Sequence, residues 1–105
     1  MDAATAYEQR DAALLLDVRQ PGEWAVGRIE QAVLLPMGEL AARQDELPTD
    51  KQIIVVCRSG NRSAMVTRAL QQAGYDAANL DGGMQVWARE GFPVVADGGA
   101  PGAVA

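Results

Sequence analysis

The residue best placed for chemistry is Cys57, the single cysteine of a 105-residue chain, followed at once by Arg58-Ser59-Gly60-Asn61-Arg62-Ser63. A thiol attacks as its thiolate, and nearby cations or aimed N–H groups lower its pKa, to roughly 3.5–7.5 in favourable settings. Arg58 and Arg62 supply two cations, and Gly60 permits a tight turn or a positive φ. If this loop curls around the sulfur, its amides and the free N–H groups of a following helix point inward and favour an anion. A cysteine that ends an apolar strand is more often a small buried hydrophobe. Here the polar run after it continues a strand poorly and makes a good anion-binding loop, which favours the reactive assignment.

The residues that are missing narrow the chemistry further. With no histidine, Ser-His-Asp triads, Cys-His dyads and His-ligated metal sites are ruled out. With one cysteine, an internal disulfide, a thiolate zinc cluster and a resolving thiol are ruled out as well. Neither a metal nor a cofactor is expected, and a lone reduced thiol fits a cytoplasmic location. Nine basic and 14 acidic side chains give a net charge of −5, which leaves no basic face for nucleic acid. The longest apolar runs, Ala12 to Leu16 and Ile53 to Cys57, are far too short for a membrane span. The first ten residues lack the pattern of a signal peptide.

These residues need elements to position them. Apolar residues make up 49% and charged residues 22%, ordinary globular usage for a length that supports one core. Strand-length apolar runs alternate with stretches of helical spacing. Leu14 to Val18 and Ala32 to Leu35 read as strands, and Pro21 to Val26 as a short helix closed by Gly27. Gly38 to Glu46 reads as a helix ended by Pro48. Ile53 to Cys57 is the strongest strand, and its unbroken β-branched character predicts burial on both faces. Ser63 to Ala73 is a helix with Val66, Ala69, Leu70 and Ala73 on one face and Gly74 as its cap. Ala77 to Leu80 is a weak strand, Asp81-Gly82-Gly83 a turn, and Met84 to about Glu90 a helix. The domain is expected to span 1–95, with a disordered tail over 96–105.

This alternation predicts an α/β three-layer sandwich, with a small, mainly parallel sheet of four to five strands between helices. Ligands bind beyond the carboxyl ends of such strands, and Cys57 lies there.

Cys57-Arg58-Ser59-Gly60-Asn61-Arg62-Ser63 closely resembles the active-site loop of single-domain rhodanese-like sulfurtransferases. Three further segments agree with that resemblance. Leu15 to Trp24 looks like the family's Asp-Val-Arg signature. Gly27 to Ala32 sits where Gly-His-Ile-x-Gly-Ala is usual. Asp81-Gly82-Gly83, with Trp87 and Gly91-Phe92-Pro93-Val94, resembles the carboxyl-terminal signature. Arg28 replaces the usual histidine and Gln31 the usual glycine, so that histidine's role does not carry over. The short region before Leu14 has room for a helix but hardly for the edge strand of many relatives.

The resemblance implies that the Cys57 thiolate takes the outer sulfur of thiosulfate, releases sulfite, and passes the sulfur to cyanide or a cellular thiol. It implies that amides from Arg58 to Arg62 stabilise the charged sulfur and that Arg58 binds the donor's sulfonate end. The expected partners are a small anionic sulfur donor, a thiol or cyanide acceptor and a sulfur-accepting protein, with no nucleic acid or membrane, and the chain is expected to be a monomer. Arg19 could line the crevice, although an ion pair with Glu23 or Asp17 is favoured; Asp17 is a loop-bracing acceptor. Arg62 either binds the anion or ties the loop to the body. Trp24 and Trp87 pack the core or the pocket rim. A persulfide carrier or regulatory module shares the same residues. A cysteine phosphatase or arsenate reductase fits less well, because four residues separate Cys57 from Arg62, one fewer than the phosphatase pattern, and Val56 stands where such enzymes carry histidine.

Overall fold

A computed structural model describes all residues, Met1–Ala105. Ile53-Ile54-Val55-Val56 forms β3 (Ile53–Val56), buried on both faces, as β-branched residues without polar alternation demand. It pairs in parallel with β1 (Leu14–Asp17) on one side and β4 (Ala77–Asn79) on the other, and β1 pairs with β2 (Val33–Leu34). The sheet is fully parallel, in the order β2-β1-β3-β4. No strand precedes β1, so β2 forms one edge, with Val33 half exposed.

The two-residue period of the strands builds two cores. Leu16, Ile53 and Val55 face Leu40, Val66 and Leu70 of α3 (Leu40–Arg43) and α4 (Asn61–Gln72). Leu15, Ile54 and Val56 face Ala3, Ala6, Met84 and Trp87 of α1 (Ala3–Glu8) and α5 (Gly83–Arg89). The result is the three-layer sandwich expected from the sequence. The carboxyl ends of β1, β3 and β4 consequently lie side by side, with Asp17 opposite Val56 and Val55 opposite Asn79.

The structure departs from expectation in two segments. The helix anticipated from Gly38 to Glu46 is only the short α3, between 3-10 turns at Met37–Glu39 and Gln44–Glu46. The segment lies between Pro36 and Pro48, which bound any helix there, and is anchored in the core by Leu40 and Leu47. The tail over 96–105, expected to be disordered, folds back across the domain. Arg28 Nη1 donates to Asp97 Oδ1 at 2.6 Å, the Gly102 amide to the Val94 carbonyl at 2.9 Å, and the Ala103 amide to Val26 at 3.2 Å. Gly27 makes this passage possible, since a Cβ there would lie 2.0 Å from the Ala103 carbonyl oxygen. Composition misleads here because a Gly- and Ala-rich strap holds on through backbone hydrogen bonds, with little side-chain burial. No helix is long and apolar enough to cross a membrane.

Candidate active site

Chain geometry leads from β3 into the loop and then into α4. Gly60, at φ 97°, turns the chain in the left-handed region that side-chain-bearing residues avoid. Its amide donates to Cys57 Sγ at 3.0 Å, and the Ser63 hydroxyl, from the first turn of α4, lies 3.2 Å from the same sulfur.

The start of α5 orients the loop from outside. The Met84 amide donates to the Cys57 carbonyl at 2.8 Å and the Gln85 amide to the Arg58 carbonyl at 3.0 Å. In a trans peptide the C=O and the following N–H point in opposite directions. Drawing these carbonyls toward α5 therefore turns the Arg58 and Ser59 amides the other way. Gly83 permits the approach, since a Cβ there would lie 2.4 Å from the Cys57 carbonyl oxygen. Asp81-Gly82-Gly83 is thus a turn, as expected, and also a bare seat for the loop.

Cys57 is only 1% exposed and belongs to the core cluster that contains Val66 and Val55. Burial, the largest single influence, pushes its thiol pKa up. The Ser63 hydroxyl and the amides of Ser63, Gly60 and Ser59 together outweigh burial and hold it below the ordinary thiol value. The sulfur is both sunk among aliphatic groups and ringed by donors.

The other candidate residues divide by position. Arg58, Ser59 and Asn61 are exposed on the loop and the first turn of α4. Arg58 Nε donates to the Ala105 carbonyl at 2.6 Å. Arg62 is engaged by Glu23 on α2 (Pro21–Val26), with Nη1 and Nη2 donating to its two oxygens at 3.0 and 2.9 Å. Those bonds hold the Glu23 carboxyl down at about 2. Of the two roles open to Arg62, the geometry has the tie to the body.

Arg19 and Asp17 are both fully buried, so Arg19 lines no open crevice. Asp17 accepts from the Arg19 backbone amide at 3.0 Å and from its guanidinium at 2.7–3.0 Å, and Arg19 Nη2 also donates to the Gly27 carbonyl at 2.7 Å. This saturated pair fixes the β1 exit and the end of α2. Trp87 is buried and donates to the Pro93 carbonyl at 2.9 Å, whereas Trp24 is half-buried beneath the Arg28 guanidinium.

Sequence reasoning missed Asn79, which ends β4 beside the loop. Its Oδ1 lies 2.5 Å from Ser63 Oγ, and its Nδ2 donates to the Gly60 carbonyl at 3.3 Å. A polar residue at the carboxyl end of a strand next to β3 was the available signal. None of the concavities in the surface is lined by Cys57. The arrangement suits a compact anion meeting a buried thiolate.

The chain is similar to known proteins over most of its length. The family profile described as "Rhodanese-like domain" matches residues 2–90. A protein named sulfurtransferase from Allochromatium vinosum is 45% identical over 87 residues, covering 82% of this chain and 81% of that one. The putative sulfurtransferase YtwF of Bacillus subtilis is 38% identical over 86 residues, covering 82% and 84%. The crystal structure of a rhodanese-related protein from Thermoplasma volcanium superposes with a TM-score of 0.87 at 40% identity, covering 90% of this chain and 95% of that one.

Proposed function

The chain belongs to the rhodanese-like family, and from that premise we propose that it moves sulfane sulfur from thiosulfate, or another persulfide donor, to a thiophilic acceptor through a persulfide on Cys57. The observation that carries this reading is a single buried sulfur receiving the Gly60 amide and the Ser63 hydroxyl, in a chain without histidine. The thiolate forms without an adjacent base because these donors stabilise its charge.

In the first half-reaction the Cys57 thiolate attacks the outer sulfur of thiosulfate. A bond forms between Sγ and that sulfur, the donor's S–S bond breaks, and its electron pair leaves with sulfite. The negative charge then rests on the outer sulfur of the persulfide. In the second, cyanide or a thiolate attacks the outer sulfur and returns the electron pair to Sγ, regenerating the free thiolate. Arg58, exposed at the loop, is assigned the sulfonate of the donor, whose flat face of oxygens suits a guanidinium. The bidentate pairing of Arg62 with Glu23 weighs against a phosphatase, whose loop arginine must face the bound phosphate.

The test is intact mass after mixing with thiosulfate. One added sulfur is expected, located on Cys57 and discharged by cyanide with production of thiocyanate. No mass gain would overturn the reading. A gain that passes only to a protein acceptor would make the chain a persulfide carrier.

A further inference from the structure

We propose that Asn79 is a positioning residue for sulfur transfer, a second acceptor for the single Ser63 proton: the hydroxyl bonds Cys57 Sγ while that sulfur is a free thiolate, and turns to Asn79 when the sulfur carries a proton or a second sulfur. The inference rests on Cys57 being the sulfur-carrying nucleophile.

Ser63 is fully buried, and its Oγ stands 3.2 Å from Sγ and 2.5 Å from Asn79 Oδ1. A hydroxyl has one proton, so it serves one of these acceptors at a time. The orientation of the Asn79 amide is fixed from its other side. The Gly60 carbonyl can only accept, so Nδ2 faces it and Oδ1 is left facing Ser63. The Asn79 backbone is held as well, its carbonyl accepting from the Met1 amino group at 2.9 Å.

The hydroxyl then follows the chemistry. In the resting thiol, S–H donates to Ser63 Oγ and the Ser63 O–H donates to Asn79, so every group is satisfied. When the thiol proton leaves, the hydroxyl rotates onto the sulfur and the half-buried Asn79 Oδ1 loses its protein donor, at a cost. When sulfite departs, Sγ becomes a neutral bridging sulfur and the hydroxyl returns to Asn79. The hydroxyl proton moves only by rotation, and none is consumed. Asn79 thus disfavours the bare thiolate against both thiol and persulfide, which drives sulfur uptake forward.

The charged groups around this site are Arg58 on the loop, Arg62 on α4 with its partner Glu23 on α2, the Asp17–Arg19 pair at the end of β1, and the Met1 amino group paired with Asp81 beside the end of β4. A substitution on β4 leaves all of them in place.

The test is the pH midpoint of iodoacetamide alkylation. Asn79→Ala is expected to lower it by about one pH unit, the worth of one freed hydrogen bond. Asn79→Asp is expected to raise it by about as much, because a carboxylate holds the hydroxyl and repels the thiolate. The sign of either variant suffices if the other does not fold. In a Ser63→Ala background, Asn79→Ala should leave the midpoint unmoved. At a fixed thiosulfate-to-sulfite ratio and a pH above both alkylation midpoints, where the free protein is thiolate, the ratio of persulfidated to free Asn79→Ala protein should fall about tenfold by intact mass. Shifts of the same sign in both variants, or a shift that persists without the Ser63 hydroxyl, would overturn the proposal and leave Asn79 a structural clamp. Failure of the wild-type protein to take up sulfur would overturn the sulfurtransferase reading instead, while the alkylation midpoints still judge Asn79.

Discussion

The Cys57 thiol is shifted toward its anion in a place that ordinarily opposes one. Burial opposes the thiolate, and a hydroxyl and three amides overcome it. The rate of alkylation should therefore reach its plateau at a pH below that of an ordinary thiol, as a pH series with iodoacetamide will read. Cys57→Ser is expected to abolish thiocyanate production while changing stability by less than about 1 kcal/mol, since the hydroxyl keeps the shape and the hydrogen bonds. Urea midpoints alongside the activity assay check both halves. Arg58→Ala should raise KM for thiosulfate about tenfold with little change in kcat, the pattern of a lost charge-assisted contact to the donor. An unchanged KM would place donor binding elsewhere.

Between elements, what matters is how few contacts shape the loop. The seat at Gly83 receives the loop's first carbonyls, and the Glu23–Arg62 tie holds the first turn of α4 that follows it. Gly83→Ala would set a Cβ 2.4 Å from one loop carbonyl oxygen and 2.7 Å from the next, at a φ of 59°. It is expected to cost about 3 kcal/mol and to push the loop out of register with the sulfur, seen as a lower Tm together with a raised alkylation midpoint. The Glu23 carboxyl, ordinarily near 4.5, is held at about 2, chiefly by the Arg62 hydrogen bonds. Between those values the unfolded chain binds a proton that the folded chain refuses. Its contribution is therefore complete above about pH 4.5 and is lost as pH falls toward 2. Glu23→Gln should flatten that part of a stability–pH curve and cost about 1 kcal/mol at neutral pH, a modest figure because the pair is partly exposed.

Across the whole molecule, the elements with strong local character were legible from the residues alone. Ile53 to Val56 is buried on both faces, Gly74 caps α4 at a φ of 94°, and Cys57 stands at the carboxyl edge of the sheet. The loop could be read because a polar, glycine-containing run after an apolar strand has few other uses. Asn79 could not, since its role depends on β4 lying beside β3, a pairing that alternation suggests without fixing its register. Nor could the choice of Arg62 for Glu23, a contact 39 positions apart in the chain, or the course of the tail, whose hold is in its backbone. The tail yields a prediction at this scale. Gly27→Ala should expel it by collision with the Ala103 carbonyl, lowering Tm by several degrees and opening the amides of Gly102 and Ala103 to hydrogen exchange.

The depth of the sulfur also decides what it cannot meet. A disulfide between two copies needs their Cα atoms within about 7 Å of each other, and a thiol sunk beneath its own loop keeps them farther apart than that. A solution left in air should run as an uncross-linked band on a non-reducing gel. On the proposed function, the transferred atom should be surrendered readily to slender nucleophiles and slowly to bulky ones, because the residue that holds it lies so deep that its own surroundings filter who may collect the delivery.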